Sequence, residues 1–164
     1  MSSGETPEAP SDPDTIRVFT RAVLRDLQAL ERMLREGMVE EGPRRFGAEQ
    51  ELFLVGEGWR PAPVAPAVLE RLGKGPFTPE LALFNLEANL PPQLLEAGAF
   101  SGVERALETL VGEARSAARE VGAEVVLCGT LPTLVKSDMT LENITPNPRY
   151  RALNDALTAM RGEA

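Results

Sequence analysis

The sequence predicts an α+β fold in which a sheet is flanked by helices. Two segments, residues 46–55 and 81–90, alternate apolar and polar side chains with the period of two that is typical of strands. Three other segments carry apolar residues at helical spacing and lie next to capping or breaking residues. At 164 residues the chain has the length of one ordinary domain, so we do not expect a second full domain.

The first element is predicted to be a long helix. Residues 1–11 are rich in Ser, Pro, Gly and Glu and are predicted to form a disordered tail, which leaves residues 12–164 for the domain. Asp12 suits the N-cap, and Pro13 suits the first helical position. We expect the helix to end by Gly37 and to expose its charged face to solvent. Its apolar stripe comprises Ile16, Phe19, Val23, Leu27, Leu30 and Leu34.

The two predicted strands are separated by turns and one short helix. Residues 46–55 are expected to end at a glycine-rich turn, and a proline-rich connection then leads into a helix over residues 65–72. Residues 73–79 are expected to form a loop. The second strand, residues 81–90, is expected to stop at the proline pair that follows it, because proline donates no ladder hydrogen bond.

A second long helix and a third strand are predicted next. Ser101 and Glu104 form a capping-box pattern at the start of the helix, and Gly122 marks its C-terminal end. Residues 124–129 are nearly all apolar, which predicts a strand buried on both faces and places Cys128 in the core.

The C-terminal part is predicted to be a long loop followed by a last helix. Residues 130–146 are polar and rich in turn residues, and such a length is unusual in compact domains. This loop could serve as a substrate lid or as a plain flexible connection, and the sequence does not distinguish the two roles. Asn147 and Pro148 are expected to begin the helix, whose apolar stripe comprises Tyr150, Leu153, Ala156, Leu157 and Met160.

The composition excludes several classes of function. The 25 acidic and 17 basic residues give a net charge of −8, which argues against nucleic acid and anionic membranes as partners. The absence of histidine excludes His metal sites and Ser-His or Cys-His catalysis, and no P-loop motif is present. No apolar run approaches the roughly 20 residues of a membrane span, and the polar N-terminus does not resemble a signal peptide. We therefore expect a cytoplasmic protein.

Acidic and amide side chains share one face of each predicted strand. Glu49 and Glu51 lie on one face of the first strand, and Asn85, Glu87 and Asn89 lie on one face of the second. If the apolar faces of both strands lie together, the opposite surface offers carboxylate and amide oxygens, which suit Mg²⁺ and hence nucleotide phosphates. A solvent-facing acidic edge is the alternative. The apolar row of the second strand comprises Ala82, Phe84, Leu86, Ala88 and Leu90.

Four motifs are linked by their order and spacing. They are Phe-Gly-Ala-Glu-Gln-Glu-Leu at residues 46–52, Phe-Asn-Leu-Glu-Ala-Asn-Leu-Pro-Pro at 84–92, Gly-Thr-Leu-Pro at 129–132 and Pro-Arg-Tyr at 148–150. Together they resemble the bacterial type-two glutamate-cysteine ligase family, also called carboxylate-amine ligases. The resemblance implies a partial glutamine-synthetase-like fold, with a mainly antiparallel sheet whose concave face holds ATP and a divalent metal. It also implies that ATP converts a carboxylate into an acyl phosphate, which an amine attacks.

The resemblance further implies roles for five residues. Glu49, Glu51 and Glu87 would bind Mg²⁺, and Asn89 would support the ATP site or touch the substrate. Arg149 stands in the Arg-Tyr pair of the family, where its guanidinium would bind a substrate carboxylate or a phosphate; an ordinary surface role is equally open. The implied cofactors are ATP and Mg²⁺, and the implied partners are a small carboxylate and an amine.

The chain departs from the family pattern in two respects. Family members are normally much longer, so we expect the N-terminal portion of a catalytic domain, inactive alone and completed by the remainder of a longer chain or by a homodimer partner. Leu131 stands where the family often has a histidine, which leaves the amino-acid substrate open. The alternative function is a non-catalytic binding or assembly module derived from the same fold and dimeric through an open sheet edge.

Overall fold

A computed structural model describes residues 13–161 and confirms the α+β class, with an antiparallel sheet and helices. The elements are α1 (Pro13–Arg35), β1 (Arg45–Val55), α2 (Ala65–Leu72), β2 (Phe77–Pro79), β3 (Asn85–Leu94), α3 (Ala99–Arg119), β4 (Glu124–Val126) and α4 (Pro148–Arg161). The predicted tail and the predicted N-cap Asp12 lie outside the described residues. The single domain proposed for residues 12–164 stays a prediction.

The chain divides into two compact units. One contains α1 and α4, and the other, Arg44–Pro146, contains the sheet with α2 and α3. α1 ends before Gly37 as predicted, and that glycine has a φ of +64°, which suits a residue without a Cβ. α4 also begins as predicted, since the side-chain oxygen of Asn147 accepts a hydrogen bond of 3.0 Å from the backbone N–H of Arg149. None of the helices between residues 13 and 161 has the length and apolar character that crossing a membrane requires.

The strands form one antiparallel sheet in the order β2-β3-β1-β4. β1 is the longest strand and pairs with β3 along most of its length and with β4 at its C-terminal end. β2 and β4 are edge strands of three residues each. The register between β1 and β3 places Glu51 opposite Glu87 and Glu49 opposite Asn89. Because directly opposed residues point to the same face of a sheet, this register decides which side chains meet.

One face of the sheet is covered by helices and forms the main core. Leu52 and Leu54 of β1 and Leu86 and Ala88 of β3 are 0 % exposed on this face. Apolar side chains of α2 and α3 pack against them. The helical contribution to this core comprises Ala65, Val68, Val111, Ala114, Ala117 and Ala118.

The predicted end of the second strand at its proline pair is wrong. β3 continues through Pro91 and Pro92 as far as Leu94. The register with β1 shifts at this point, and the two prolines lie at a bulge opposite Gly47 without ladder partners. On its other edge β3 pairs with β2 only as far as Ala88, so β2 requires no N–H donor from Pro91 or Pro92. Proline is therefore tolerated, because its missing N–H removes no ladder hydrogen bond.

Three other predicted boundaries are also corrected. The predicted loop at residues 73–79 ends in β2, a strand too short to show an alternating pattern. α3 begins at Ala99 rather than after a Ser101 cap, because a glycine in the left-handed region takes the N-cap position. The strand predicted over residues 124–129 stops at Val126, and as an edge strand it is not buried on both faces.

Candidate functional site

The open face of the sheet carries four of the five residues that the sequence predicts to be functional. Glu49 and Glu51 of β1 and Glu87 and Asn89 of β3 lie there, on the side away from the helix-covered core. We call these four residues the polar patch. Directly opposed cross-strand residues have Cβ atoms about 4.5–5.5 Å apart, so the register brings the carboxylates of Glu51 and Glu87 close together.

Thr78 of β2 links two members of the polar patch. Its hydroxyl donates a hydrogen bond of 3.1 Å to Oε1 of Glu87 and accepts one of 3.0 Å from Nδ2 of Asn89. The bond to Thr78 uses the nitrogen of the Asn89 amide, which leaves its carbonyl oxygen as the group that a ligand can approach. The sequence analysis missed Thr78. Its only local signal is a β-branched residue in a very short strand.

Within the described part of the chain, the acids of the polar patch form no ion pair with a basic side chain. The ion pairs formed among residues 13–161 do not involve Glu49, Glu51 or Glu87. Like charges directly opposite each other destabilise a sheet, so the Glu51–Glu87 pair favours a bound cation. The described residues contain no group of three or more His, Cys, Asp or Glu side chains that could hold a metal ion by themselves. A metal on this face would therefore need oxygen ligands from other sources.

The other end of the open face is apolar and buried. Phe53 follows the polar patch along β1 and is 7 % exposed, and its ring packs at 6.5 Å between centroids on that of Phe84. Leu131, 3 % exposed, belongs to the same cluster. The sequence placed Ala82 and Phe84 in the apolar row of the second strand, but both precede β3 and pack here instead. Cys128 also packs against this cluster and is half-buried, so it lies outside the main core.

Residues 130–146, which we call the strap, pack on this apolar end of the sheet through Leu131 and Leu134. Backbone hydrogen bonds join the later part of the strap to residues 81 and 83. The backbone N–H of Leu83 donates a hydrogen bond of 2.8 Å to the carbonyl oxygen of Asn143. The backbone N–H of Thr145 donates another of 2.8 Å to the carbonyl oxygen of Leu81. The strap is irregular, as predicted, but these bonds and its packed leucines give it a defined path.

Arg60 and Asp138 hold the middle of the strap and were missed by the sequence analysis. The guanidinium of Arg60 donates to both carboxylate oxygens of Asp138, at 2.6 and 2.7 Å. These residues are 78 positions apart, so no local pattern connects them. A signal for this pair would have to come from comparison of many related sequences.

Asn85 lies between the polar patch and the apolar end. It faces Phe53 in the register of β1 with β3. Its Oδ1 atom is shut off from solvent and accepts no hydrogen bond from residues 13–161. A buried acceptor without a donor costs about 1–3 kcal/mol, and such local conflicts are typical of functional surfaces.

Two further charged groups, Arg149 and Glu142, lie apart from the polar patch in the sequence. Arg149, the fifth predicted site residue, is exposed in the first turn of α4, which belongs to the other unit. Its role stays a prediction.

In the strap, the hydroxyl of Thr140 and the backbone N–H of Glu142 hold the pKa of the Glu142 carboxyl below its ordinary value.

The comparisons with known proteins give one match. A family model described as glutamate-cysteine ligase family 2 matches residues 45–161, which is more than half of the chain. The matched range contains the polar patch, Thr78, the strap and Arg149. A search of curated proteins and a search of solved structures each returned no match.

Proposed function

Because the chain belongs to glutamate-cysteine ligase family 2, we propose that it takes part in joining a carboxylate to an amine with ATP and Mg²⁺. The family indicates carboxylate-amine ligase chemistry on small molecules. In the proposed reaction an oxygen of the substrate carboxylate attacks the γ-phosphorus of ATP, ADP leaves, and an acyl phosphate forms. The amine nitrogen then attacks the acyl carbon, and phosphate and a proton are released as the amide forms.

The observation that carries this proposal is the opposed pair Glu51 and Glu87. Two carboxylates face each other across β1 and β3, and no Lys or Arg among residues 13–161 pairs with either. A purely structural sheet would gain stability from an opposite charge or an apolar residue at one of these positions. A surface that binds a divalent cation, in contrast, gains from two carboxylates at directly opposed positions, because both can ligate one ion.

The donor atoms of the polar patch fit Mg²⁺ in kind and in number. Mg²⁺ prefers hard oxygen ligands and is usually held by one or two carboxylates together with phosphate oxygens, rather than by an all-protein cage. This preference agrees with the lack of a three-acid cluster among the described residues. We propose that Glu51 and Glu87 hold the ion and that Asn89 supports the nucleotide. Glu49, two residues before Glu51 on β1, is proposed to add negative charge beside the ion rather than a third protein ligand. Bound Mg²⁺ would neutralise charge on the phosphates.

The remaining residues are proposed to position the reactants. Thr78 fixes the orientation of Glu87 and Asn89 through its two hydrogen bonds. Arg149 is proposed to bind a substrate carboxylate or a phosphate, because a guanidinium presents two parallel donors to such groups. We also propose that the antiparallel sheet corresponds to the active-site sheet of glutamine-synthetase-like enzymes, with the polar patch on the face that binds ATP.

A binding or assembly module without catalysis is the second candidate. The observation that favours it is the position of β2 and β4 as short edge strands, at which another strand could be added to the sheet. Such a module would keep the cation site of the polar patch but release no ADP. The two candidates therefore differ in turnover rather than in Mg²⁺ binding.

The test combines a binding measurement with a turnover measurement. We expect MgCl₂ with ADP to raise the thermal unfolding midpoint of the protein. At a ligand concentration of 100 Kd, the free energy of unfolding should rise by about 2.7 kcal/mol. The Glu49→Gln, Glu51→Gln double variant should lose this effect, because an amide cannot supply the carboxylate charge. In the catalytically complete assembly, with the remainder of the chain or the partner subunit present, it should also lose ADP release with ATP, a carboxylate and an amine, for which L-glutamate and L-cysteine are the first pair to be measured. Glu113→Gln, an exposed acid on α3, is the matched control and should behave as the unmodified protein.

The outcomes separate the candidates. Unchanged ADP release in the double variant would contradict the assignment of the polar patch. Stabilisation by Mg²⁺ and ADP that the double variant loses, without ADP release by the unmodified protein, would favour the binding module over the ligase.

A further inference from the structure

The strap forms a boundary of the open face immediately beyond the polar patch. Leu131 of the strap packs in one cluster with Phe53, which lies on β1 two residues after Glu51 on the same face. Two residues along a strand span about 7 Å, so the strap lies within one small-molecule length of the proposed metal ligands. In the unit formed by Arg44–Pro146, a substrate beside the polar patch would meet the strap on this side.

The path of the strap is fixed by one arginine from the connection between β1 and α2. Nη2 of Arg60 donates to both carboxylate oxygens of Asp138, and Nη1 donates to the carbonyl oxygen of Thr133 at 2.6 Å. The hydroxyl of Thr133 donates in return to the carbonyl oxygen of Trp59, the residue before Arg60. Residues 59 and 60 therefore hold the strap at two of its positions through four hydrogen bonds.

Asp138 extends this contact into the strap itself. Its carboxylate accepts a hydrogen bond of 2.8 Å from the backbone N–H of Val135, and its carbonyl oxygen accepts one of 2.8 Å from Nδ2 of Asn143. The side chain of Asp138 is only 16 % exposed. Isolated surface ion pairs contribute little, but this carboxylate is largely shielded and accepts further bonds in a network, which holds the geometry of the pair more firmly. We call Arg60, Thr133 and Asp138 the clasp.

We propose that Arg60 is a positioning residue for the ligase reaction, acting through the clasp to hold the strap as the wall of the site that receives the carboxylate substrate. The inference rests on the proposed function. The polar patch is proposed to bind Mg²⁺ and phosphate, and the cluster of Phe53, Phe84 and Leu131 is apolar and almost fully buried, an environment that disfavours a charged ligand. The substrate therefore lies between the phosphate and the exposed side of the strap, and a displaced strap changes its position without changing the metal ligands.

The first test compares steady-state kinetics with nucleotide binding in Arg60→Ala. In the same complete assembly, we expect kcat/KM for the carboxylate substrate, measured with L-glutamate at saturating ATP and L-cysteine, to fall at least tenfold. The dissociation constant of ADP with MgCl₂ should stay within twofold of that of the unmodified protein. Arg60→Lys should not restore the kinetics, because an ammonium group cannot reproduce the fork that binds two carboxylate oxygens and a carbonyl oxygen. Arg119→Ala, which removes an exposed ion pair with Glu124, is the matched control and should change neither quantity.

A parallel loss of ADP affinity and of kcat/KM would overturn the inference, since it would indicate general destabilisation. Unchanged kinetics in Arg60→Ala would also overturn it. If Arg60→Ala does not fold, Thr133→Val removes one bond of the clasp with little change in shape and should give a smaller loss in the same direction. An unaltered kcat/KM in Thr133→Val would then count against the clasp.

Hydrogen exchange separates failure of the inference from failure of the proposed function. Arg60→Lys should raise the exchange rates of strap amides such as those of Val135 and Asp138, while the amides shared by β1 and β3 keep their protection. This result does not depend on any ligase activity. Faster exchange with no turnover by the unmodified protein would contradict the proposed function alone, whereas unchanged exchange would contradict the role of Arg60.

Discussion

The two faces of the sheet are made by the same strands but differ in how their side chains are satisfied. On the helix-covered face, Leu86 is 0 % exposed and packs in a core shared with α2 and α3. On the open face, its neighbour Glu87 meets another carboxylate and has no basic partner among residues 13–161. One step along β3 therefore passes from a residue that holds the unit together to one proposed to bind a ligand. Stability and function in this unit should be separable by single substitutions.

The largest expected effect comes from changing these two neighbours in turn. Leu86→Ala should lower the free energy of unfolding by about 2–5 kcal/mol, because it removes buried methyl groups and leaves a cavity. Glu87→Gln should leave the free energy of unfolding unchanged or raise it slightly in the absence of divalent cations, since it relieves the repulsion from Glu51. Urea denaturation followed by circular dichroism measures both values. A loss in Glu87→Gln as large as that in Leu86→Ala would break the comparison.

The helix-covered face could be predicted from the sequence because period and burial coincide there. Leu52 and Leu54 fall on the strand positions opposite in parity to Glu49 and Glu51, which set the orientation of β1, and helical spacing identified α3. The same alternation placed Glu49, Glu51 and Glu87 on the opposite face without knowledge of the register. Local periodicity therefore sufficed for the face that each strand residue occupies.

The apolar end of the open face could not be predicted, because its contacts connect distant parts of the chain. Phe84 precedes its strand and turns to the open face, which a strict alternation cannot indicate. Arg60 finds Asp138 across 78 residues, and their pairing depends on how the strap returns over the sheet. The bulge that accommodates Pro91 likewise depends on the partner strand. These features are decided by tertiary contacts, which a single sequence does not reveal.

An intermediate effect is expected from Thr78, which organises the polar patch from the edge of the sheet. Thr78→Val keeps the shape of the side chain but removes its hydrogen bonds with Glu87 and Asn89. Each such bond contributes about 0.5–1.5 kcal/mol, so the free energy of unfolding should fall by about 1 kcal/mol. The affinity for ADP with MgCl₂, measured by calorimetric titration, should fall several-fold, because Glu87 and Asn89 lose their fixed orientation.

The control for this variant is Thr109→Val on α3. The hydroxyl of Thr109 donates only to the carbonyl oxygen of Arg105, one helical turn earlier, far along the chain from the polar patch. It should leave the affinity for ADP unchanged. Equal affinities in Thr78→Val and Thr109→Val would mean that the patch does not depend on its hydrogen bonds to β2.

The smallest expected effect concerns Glu142, whose carboxylate accepts hydrogen bonds within its own segment, whereas Glu87 is held by Thr78 of another strand and lies opposite Glu51. The Thr140 hydroxyl and the backbone N–H of Glu142 lower the pKa of the Glu142 carboxyl from its ordinary value of 4.5. A lowered pKa in the folded state means that the ionised carboxylate stabilises the fold above the unfolded pKa. That contribution is lost as the pH falls through the folded pKa, below 4.5.

Replacing either partner should therefore flatten the acid side of the stability profile slightly. Glu142→Gln and Thr140→Ala should both reduce the gain in stability between about pH 3 and pH 5, and neither should change the response to MgCl₂ with ADP. Carboxyl carbon NMR of Glu142 gives the pKa directly. A Glu142 carboxyl that titrates at its ordinary value, with Thr140→Ala having no effect, would remove the distinction between this locally satisfied acid and the unpaired acids of the open face. If the distinction holds, negative charge alone does not mark the proposed cation site; what marks it is two carboxylates that oppose each other across the sheet without an ion-pair partner among residues 13–161.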